Sequence, residues 1–173
     1  PYVMMAYNKP YYRDLVERYG FAKAKDIYAF EAAIYQFGSS PEGIPEQLAR
    51  LADVATKRHR VRMRNVDMAN LMRDLDLIKP VYRQAWAKNW GAIPMTDAEF
   101  EYLADELKGI VDPDMTFLAF IDDQPVGCFI SLPNYNEILP YANGHLWPFG
   151  WAKLLCHRKE IGSMRVLIMG VLE

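Results

Sequence analysis

The period of the apolar positions changes along the chain, and each change marks an element. From Met115 to Leu132 the sequence reads MTFLAFIDDQPVGCFISL, two runs rich in β-branched and aromatic residues on either side of an acidic break. Phe117, Ala119 and Ile121 alternate with Thr116, Leu118 and Phe120. Both sets are mostly apolar, which is the mark of a strand covered on both faces. Asp122 to Pro125 supplies turn formers, and Val126 to Leu132 resumes a strand in which Gly127 suits a bulge or a close backbone approach. This hairpin belongs at the core of an α/β or α+β domain.

The remaining elements fall around it. Tyr2 to Ala6 reads as a strand. Asn8 as a cap and Pro10 in the first turn introduce a helix with Tyr12, Leu15, Val16 and Tyr19 on one face. Gly20 ends that helix, and Phe21 is placed to pack back on its last turn. Lys25 to Phe37, rich in Tyr, Phe, Ile and Ala, reads as a long strand. Ser39 to Gly43 is the clearest break in the chain and leads to a helix bearing Leu48, Leu51, Val54 and Ala55. Near Arg60 a second unit begins, where Val61 and Met63 alternate with Arg60, Arg62 and Arg64 in a half-exposed strand. Met68, Leu71, Met72 and Leu75 start a helical stripe that Pro80 interrupts and restarts. Val81, Tyr82, Ala85 and Trp86 carry the second piece to Asn89-Trp90-Gly91. Thr96 and Glu99 form a capping box for a helix with Phe100, Leu103, Ala104 and Leu107 inward. Beyond the hairpin, Pro133 to Leu139 is a turn or short helix, Pro148 to His157 an amphipathic helix, and Met164 to Leu172 a last strand. No fixed-period repeat or low-complexity segment occurs. The expected fold is α/β or α+β, with Lys25 to Phe37, Met115 to Ile121, Val126 to Leu132 and Met164 to Leu172 in one mixed, mostly antiparallel sheet flanked by helices.

Composition changes this picture little. Of 173 residues, 51% are hydrophobic and 24% charged, ordinary for a globular domain, and the formal net charge is −2. The richest basic stretch, Lys57 to His59 with Arg60, Arg62 and Arg64, is short, so nucleic acid is not an expected partner. Cys128 and Cys156 lie in an apolar strand and an apolar helix, and both are expected to be buried free thiols. His59, His145 and His157 are far apart in sequence, so no metal site is expected. No run approaches a membrane span and no signal peptide is visible, so the expectation is a cytoplasmic protein with no membrane partner. The chain opens on Pro1 beside an apolar run and closes on another, Val166 to Leu172, which reads as a piece of a longer protein.

Strand, helix, helix, strand, strand, helix, strand is the order from residue 60 onward. With it come Met4-Met5 before Tyr7 to Tyr12, Ala85-Trp86 with Asn89-Trp90-Gly91 and Pro94-Met95-Thr96, and Trp147-Pro148-Phe149-Gly150. Together these resemble the GNAT superfamily of acyl-CoA N-acyltransferases, in particular longer bacterial proteins that hold two GNAT-like domains in tandem. The resemblance implies that residues 1–40 are the C-terminal part of a first unit, 41–59 a linker helix, and 60–173 the N-terminal part of a second. The two parts are free to pack as one composite domain. It also implies acetyl-CoA or another acyl-CoA as cofactor in the parent protein. The family's pyrophosphate loop, R/Q-x-x-G-x-G/A, does not occur in these 173 residues, so weak cofactor binding and no turnover are expected of them alone.

Residue by residue, the resemblance places Met169, Gly170 and Val171 on the strand that offers backbone groups to the pantetheine arm. Trp86, Asn89 and Trp90 border the acceptor cleft, and Asn134 and Asn136 reach toward a substrate. Each has a plainer reading: a buried strand end, a tryptophan pair in the core with a helix-ending Asn89, and asparagines bonding their own turn. Glu31 and Glu137 are the acids to inspect as a base for the amine. The tyrosine that protonates the thiolate in many relatives would fall near Leu15 or Val16. Tyr11, Tyr12 and Tyr19 lie close by and are read as packing residues, so no catalytic residue is assigned. Three functions stand open: acyl transfer from a thioester to a small-molecule amine or a carrier, a non-catalytic GNAT-like ligand-binding module, and a structural module whose strand edges pair into a homodimer.

Overall fold

The computed structural model describes residues 2–33 and 44–172, which form two compact units, Met4–Val54 and Pro1–Val3 with Ala55–Glu173. In the smaller unit, α1 (Tyr11–Arg18) starts from Pro10, which holds the N-cap position without a side-chain bond; the cap expected at Asn8 is not used. Its end follows expectation. Gly20 takes a φ of 111°, and the Phe21 amide donates to the Val16 carbonyl at 3.3 Å. The strands expected at Tyr2 to Ala6 and at Lys25 to Phe37 are corrected: residues 2–6 and 25–33 are not strands, and 34–37 lie outside the described residues. Apolar, β-prone composition makes a strand only where a ladder takes up its backbone groups, and none forms along the described residues of either run. The helix α2 (Glu46–Arg58) follows as expected.

In the larger unit four strands, β1 (Arg62–Asn65), β2 (Thr116–Ile121), β3 (Gln124–Pro133) and β4 (Met164–Val171), form a sheet in the order β1-β2-β3-β4. Every pairing is antiparallel. The helices α3 (Leu71–Trp86), α4 (Asp97–Leu107) and α5 (Gly150–His157) complete an α+β fold. The β2–β3 hairpin turns on Asp122 and Asp123, whose φ of 44° and 64° are both left-handed, as a two-residue turn of the I′ kind requires. A shift between Ala119 and Phe120 leaves Val126 as the extra residue of a bulge beside Gly127. A Cβ on Gly127 would lie 3.3 Å from the Ala119 Cβ and 3.4 Å from the Gly170 carbonyl oxygen, the close approach its position called for.

The helix α3 covers one face of the sheet. Ile78, Val81 and Tyr82 join Leu118, Cys128, Ile168, Phe100 and Val66 in the core, with Tyr82 edge-on to Phe100 at 5.1 Å. Its first turn is fixed by Asp74, only 1% exposed, which receives both ends of the Arg64 guanidinium and, at 2.8 Å, the Asp67 amide. Burial pushes the Asp74 carboxyl up most, but the Arg64 bonds, the Asp67 amide and the Arg64 charge together hold it below its usual value. Pro80 does not restart the helix, contrary to expectation; α3 runs through it. The proline is on the solvent side while Ile78, Lys79, Val81 and Tyr82 around it are buried. Packing thereby offsets the lost bond to the preceding turn. Thr96 and Glu99 close both bonds of the expected capping box on α4, and Lys79 reaches Glu101 at 3.1 Å to join α4 to α3.

The thiols divide. Cys128 is free and buried, and burial pushes it up to about 11; Cys156 is free but exposed, against expectation, because Gly150 is the one buried residue of α5. A thiol reagent is therefore expected to modify one cysteine quickly in the native protein and the second only on unfolding, with Cys156→Ser abolishing the fast reaction. Asp74→Ala should lower stability by about 3 kcal/mol in a urea titration, the low end for a broken buried pair because Arg64 is half-exposed. The Asp74 contribution is present above the unfolded carboxylate pKa of ~3.9 and is lost as pH falls through the lower folded value. The variant's stability should thus fall less steeply below about pH 4.

Candidate functional site

The residues expected at the site sit at two ends of the β3–β4 ladder. At one end Gly127, Cys128 and Phe129 pair with Val171, Gly170 and Met169. Here the Trp86 indole N–H donates to the Met169 carbonyl at 3.3 Å while its ring stacks on Tyr82 at 5.1 Å. Gly170 is buried, and a Cβ there would stand 3.0 Å from the Ala85 Cβ, so this glycine lets α3 lie against β4. Met169 and Val171 flank it on the opposite face of the strand, 63% and 69% exposed. Asn89 works through its backbone: its amide donates to Trp86 and its carbonyl accepts from Ala92, turning the chain at Gly91, whose φ is 72°. Trp90, exposed, follows in the same turn.

The other end of the ladder, where Pro133 pairs with Met164, is about 20 Å away at the usual strand rise. There the buried Asn134 is fully engaged. Its side-chain oxygen accepts from the Val3 amide (3.2 Å), and its NH2 donates to Ser163 Oγ (3.1 Å) and Glu137 Oε1 (3.3 Å). Arg165 Nη1 donates to the Val3 carbonyl at 2.9 Å and completes a clasp on that residue. Glu137 also accepts from the Gly162 amide (2.8 Å) and from the Ser163 hydroxyl. The Ser163 and Gly162 bonds hold its carboxyl below the usual range, which makes Glu137 a lasting negative charge and a poor proton acceptor. Glu31 belongs to the smaller unit and is exposed, as are Tyr11, Tyr12 and Tyr19.

Asn134, Asn136 and Glu137 line a groove of about 760 Å³ whose other walls are Leu139, Pro140, Ala142, Gly144, His145 and Leu146. A 3-10 turn over Leu139–Ala142 forms one wall, and Asn143 and Gly144, with φ of 50° and 76°, reverse the chain. Gly150 is required where α5 begins, since a Cβ there would fall 1.9 Å from the His145 carbonyl oxygen. Beside this wall lies a cluster that sequence reasoning missed. Tyr141 stacks on His157 at 3.8 Å, His157 Nδ1 meets Glu160 Oε1 at 2.7 Å, and the Tyr141 hydroxyl donates to Glu160 Oε2 at 3.1 Å. The His157 and Tyr141 bonds lower the Glu160 carboxyl, and Glu160 in turn raises the Tyr141 phenol. A carboxylate on Nδ1 leaves Nε2 as the nitrogen able to accept a proton. The signal was the i,i+3 spacing of His157 and Glu160 at a helix end. Among the described residues no group of three or more His, Cys, Asp or Glu is placed to hold a metal ion, and no helix is long and apolar enough to cross a membrane.

No protein-family model matches the chain. Over 173 residues, 99% of this chain, it is 35% identical to Protein YghO of Escherichia coli (strain K12) and to the same degree to a bacterial ceramide synthase of Caulobacter vibrioides (strain NA1000 / CB15N). The chain spans 43% of the length of each, less than half of the curated relatives it matches. Among solved structures, an agmatine N-acetyltransferase in its apo form aligns with 64% of this chain and 60% of its own at 15% identity and a TM-score of 0.34, too low to establish a shared fold. The geometry itself yields a test of Asn134. Asn134→Ala should cost about 1–3 kcal/mol in thermal or urea unfolding, because Val3 and Ser163 lose a buried partner.

Proposed function

We propose that this chain is part of a GNAT-type N-acyltransferase whose acceptor is an amphiphilic amine. The observation that carries the reading is the groove, in which the apolar side chains of Leu139, Pro140, Ala142 and Leu146 share one space with an ionised Glu137 and the amide of Asn136. A carboxylate held anionic by its neighbours attracts an ammonium head, while the apolar walls take a hydrocarbon tail. The matched ceramide synthase supports this assignment, since a ceramide is the amide of a long-chain base and a fatty acyl group. The acyl donor in this reading is an acyl-CoA lying along β4, whose outer edge carries no further strand among the described residues.

Transfer forms a bond between the amine nitrogen and the acyl carbon and breaks the carbon–sulfur bond, and the thiolate leaves with a proton. An ammonium must first lose its own proton. His157, oriented through Nδ1 by Glu160, is the acceptor we assign to that step, in place of Glu137. The test uses the whole protein that contains this chain, with a long-chain acyl-CoA and a long-chain amino alcohol, and reads free thiol. Thiol release that depends on the amine is expected, together with a KM for the amine raised about tenfold or more by Glu137→Gln in a protein that remains folded. A folded protein that releases no thiol above the amine-free rate, and binds the amino alcohol no better than an alcohol of equal length, overturns the reading.

A further inference from the structure

We infer that the segment from His145 to Lys159 docks the protein on an anionic lipid surface. Here five large apolar side chains stand in water: Leu146 (60% exposed), Trp147 (81%), Phe149 (71%), Trp151 (51%) and Leu155 (62%). Two tryptophans and a phenylalanine carry on the order of several hundred Å² between them, as much apolar area as the largest patch on a typical monomer. These residues follow one another along a turn and a short helix. His145 to Phe149 are all exposed, and the chain turns inward only at Gly150.

Charge decides the occupant. Between Glu137 and Glu160 the sequence holds no acidic residue, while Lys153, Arg158 and Lys159 are cationic and exposed. Tryptophan, phenylalanine and leucine beside unopposed lysine and arginine is the composition of an element that lies in the headgroup boundary of an anionic bilayer. Exposed apolar side chains also occur in the Met4–Val54 unit, but there Asp14, Glu17, Asp26 and Glu31 alternate with Lys9, Arg13, Arg18, Lys23 and Lys25, so the charges offset one another and that surface lacks the all-cationic flank. The Trp151 indole N–H already donates to the Pro148 carbonyl at 2.9 Å, so its ring can leave water without stranding a donor. A surface segment of this kind requires no membrane-crossing helix. Leu146 belongs both to the patch and to the groove wall, so docking brings the groove level with the lipid boundary.

Vesicle co-sedimentation tests the inference without substrate or acyl donor, so its outcome is independent of the acyl-transfer reading. The protein is expected to sediment with phosphatidylcholine vesicles containing phosphatidylglycerol and much less with phosphatidylcholine alone. Binding should weaken with added salt and be accompanied by a blue shift in tryptophan emission. Trp147→Ala with Phe149→Ala should cut partitioning about tenfold or more. Both side chains are exposed, so the melting temperature should stay unchanged. Lys153→Glu with Lys159→Glu should remove the preference for anionic vesicles. Equal partitioning of the Trp147→Ala/Phe149→Ala variant overturns the inference. So does a self-associated protein that fails to bind vesicles and becomes monomeric in that variant, which would assign the patch to a second copy of the chain.

Discussion

The larger unit depends on a single buried carboxylate. Asp74 sits at the start of α3, under the sheet, where a lone negative charge would be intolerable. Arg64 from β1 and the Asp67 amide make it tolerable, and in doing so they fix where α3 begins relative to the first strand. Arg64 is itself held in place with its guanidinium over the Phe120 ring at 5.3 Å, so the edge strand, its neighbour and the helix are joined through one side chain. From that origin α3 follows the sheet for four turns, and its far end delivers Ala85 against Gly170 and Trp86 against Met169. A shift of the helix along its axis would break the ion pair at one end and drive Ala85 into the strand at the other.

What could be read in advance was whatever local chemistry determines. The hairpin, the break at Gly20, the Thr96 and Glu99 box and the three strands of residues 115–172 follow from turn formers, caps and alternation within a few neighbouring residues. Where the result depended on remote partners, composition misled. Tyr2 to Ala6 and residues 25–33 have the residues of strands and no ladder, and Pro80 has the chemistry of a helix break and lies in a helix pinned by Ile78 and Val81. Cys156 misled for the same reason, since apolar neighbours in sequence put it in a helix whose outer face nothing covers. For the candidate site, the local-turn reading of Asn134 and the backbone role of Asn89 were within reach of the sequence. The joining of Val3 to Asn134 and Arg165 was not, because it spans more than 130 residues.

The separation of the expected site residues along the β3–β4 ladder changes the chemistry open to them. Trp86 and Gly170 shape the junction of α3 with β4, whereas Asn134, Asn136 and Glu137 surround a groove at the opposite end. A carboxylate that three donors keep ionised is suited to holding a cation and unsuited to taking its proton. In Tyr141, His157 and Glu160, next to the groove wall, the carboxylate instead takes bonds from a phenol and an imidazole. In the proposed reaction, cation binding falls to Glu137 and proton transfer to His157, which Glu160 orients.

The clasp on Val3 has a consequence for how the chain acquires its structure in a cell. Val3 is among the first of these residues a ribosome would release, and its two partners, Asn134 and Arg165, are among the last. Until Arg165 has emerged, the clasp on Val3 lacks one of its two arms, and the loop that arm closes spans 162 residues. The junction is therefore a late event in vectorial synthesis, formed after the sheet rather than with it. A nascent chain stalled before Arg165 would carry Val3 held at one side only, open to whichever chaperone or protease meets it first.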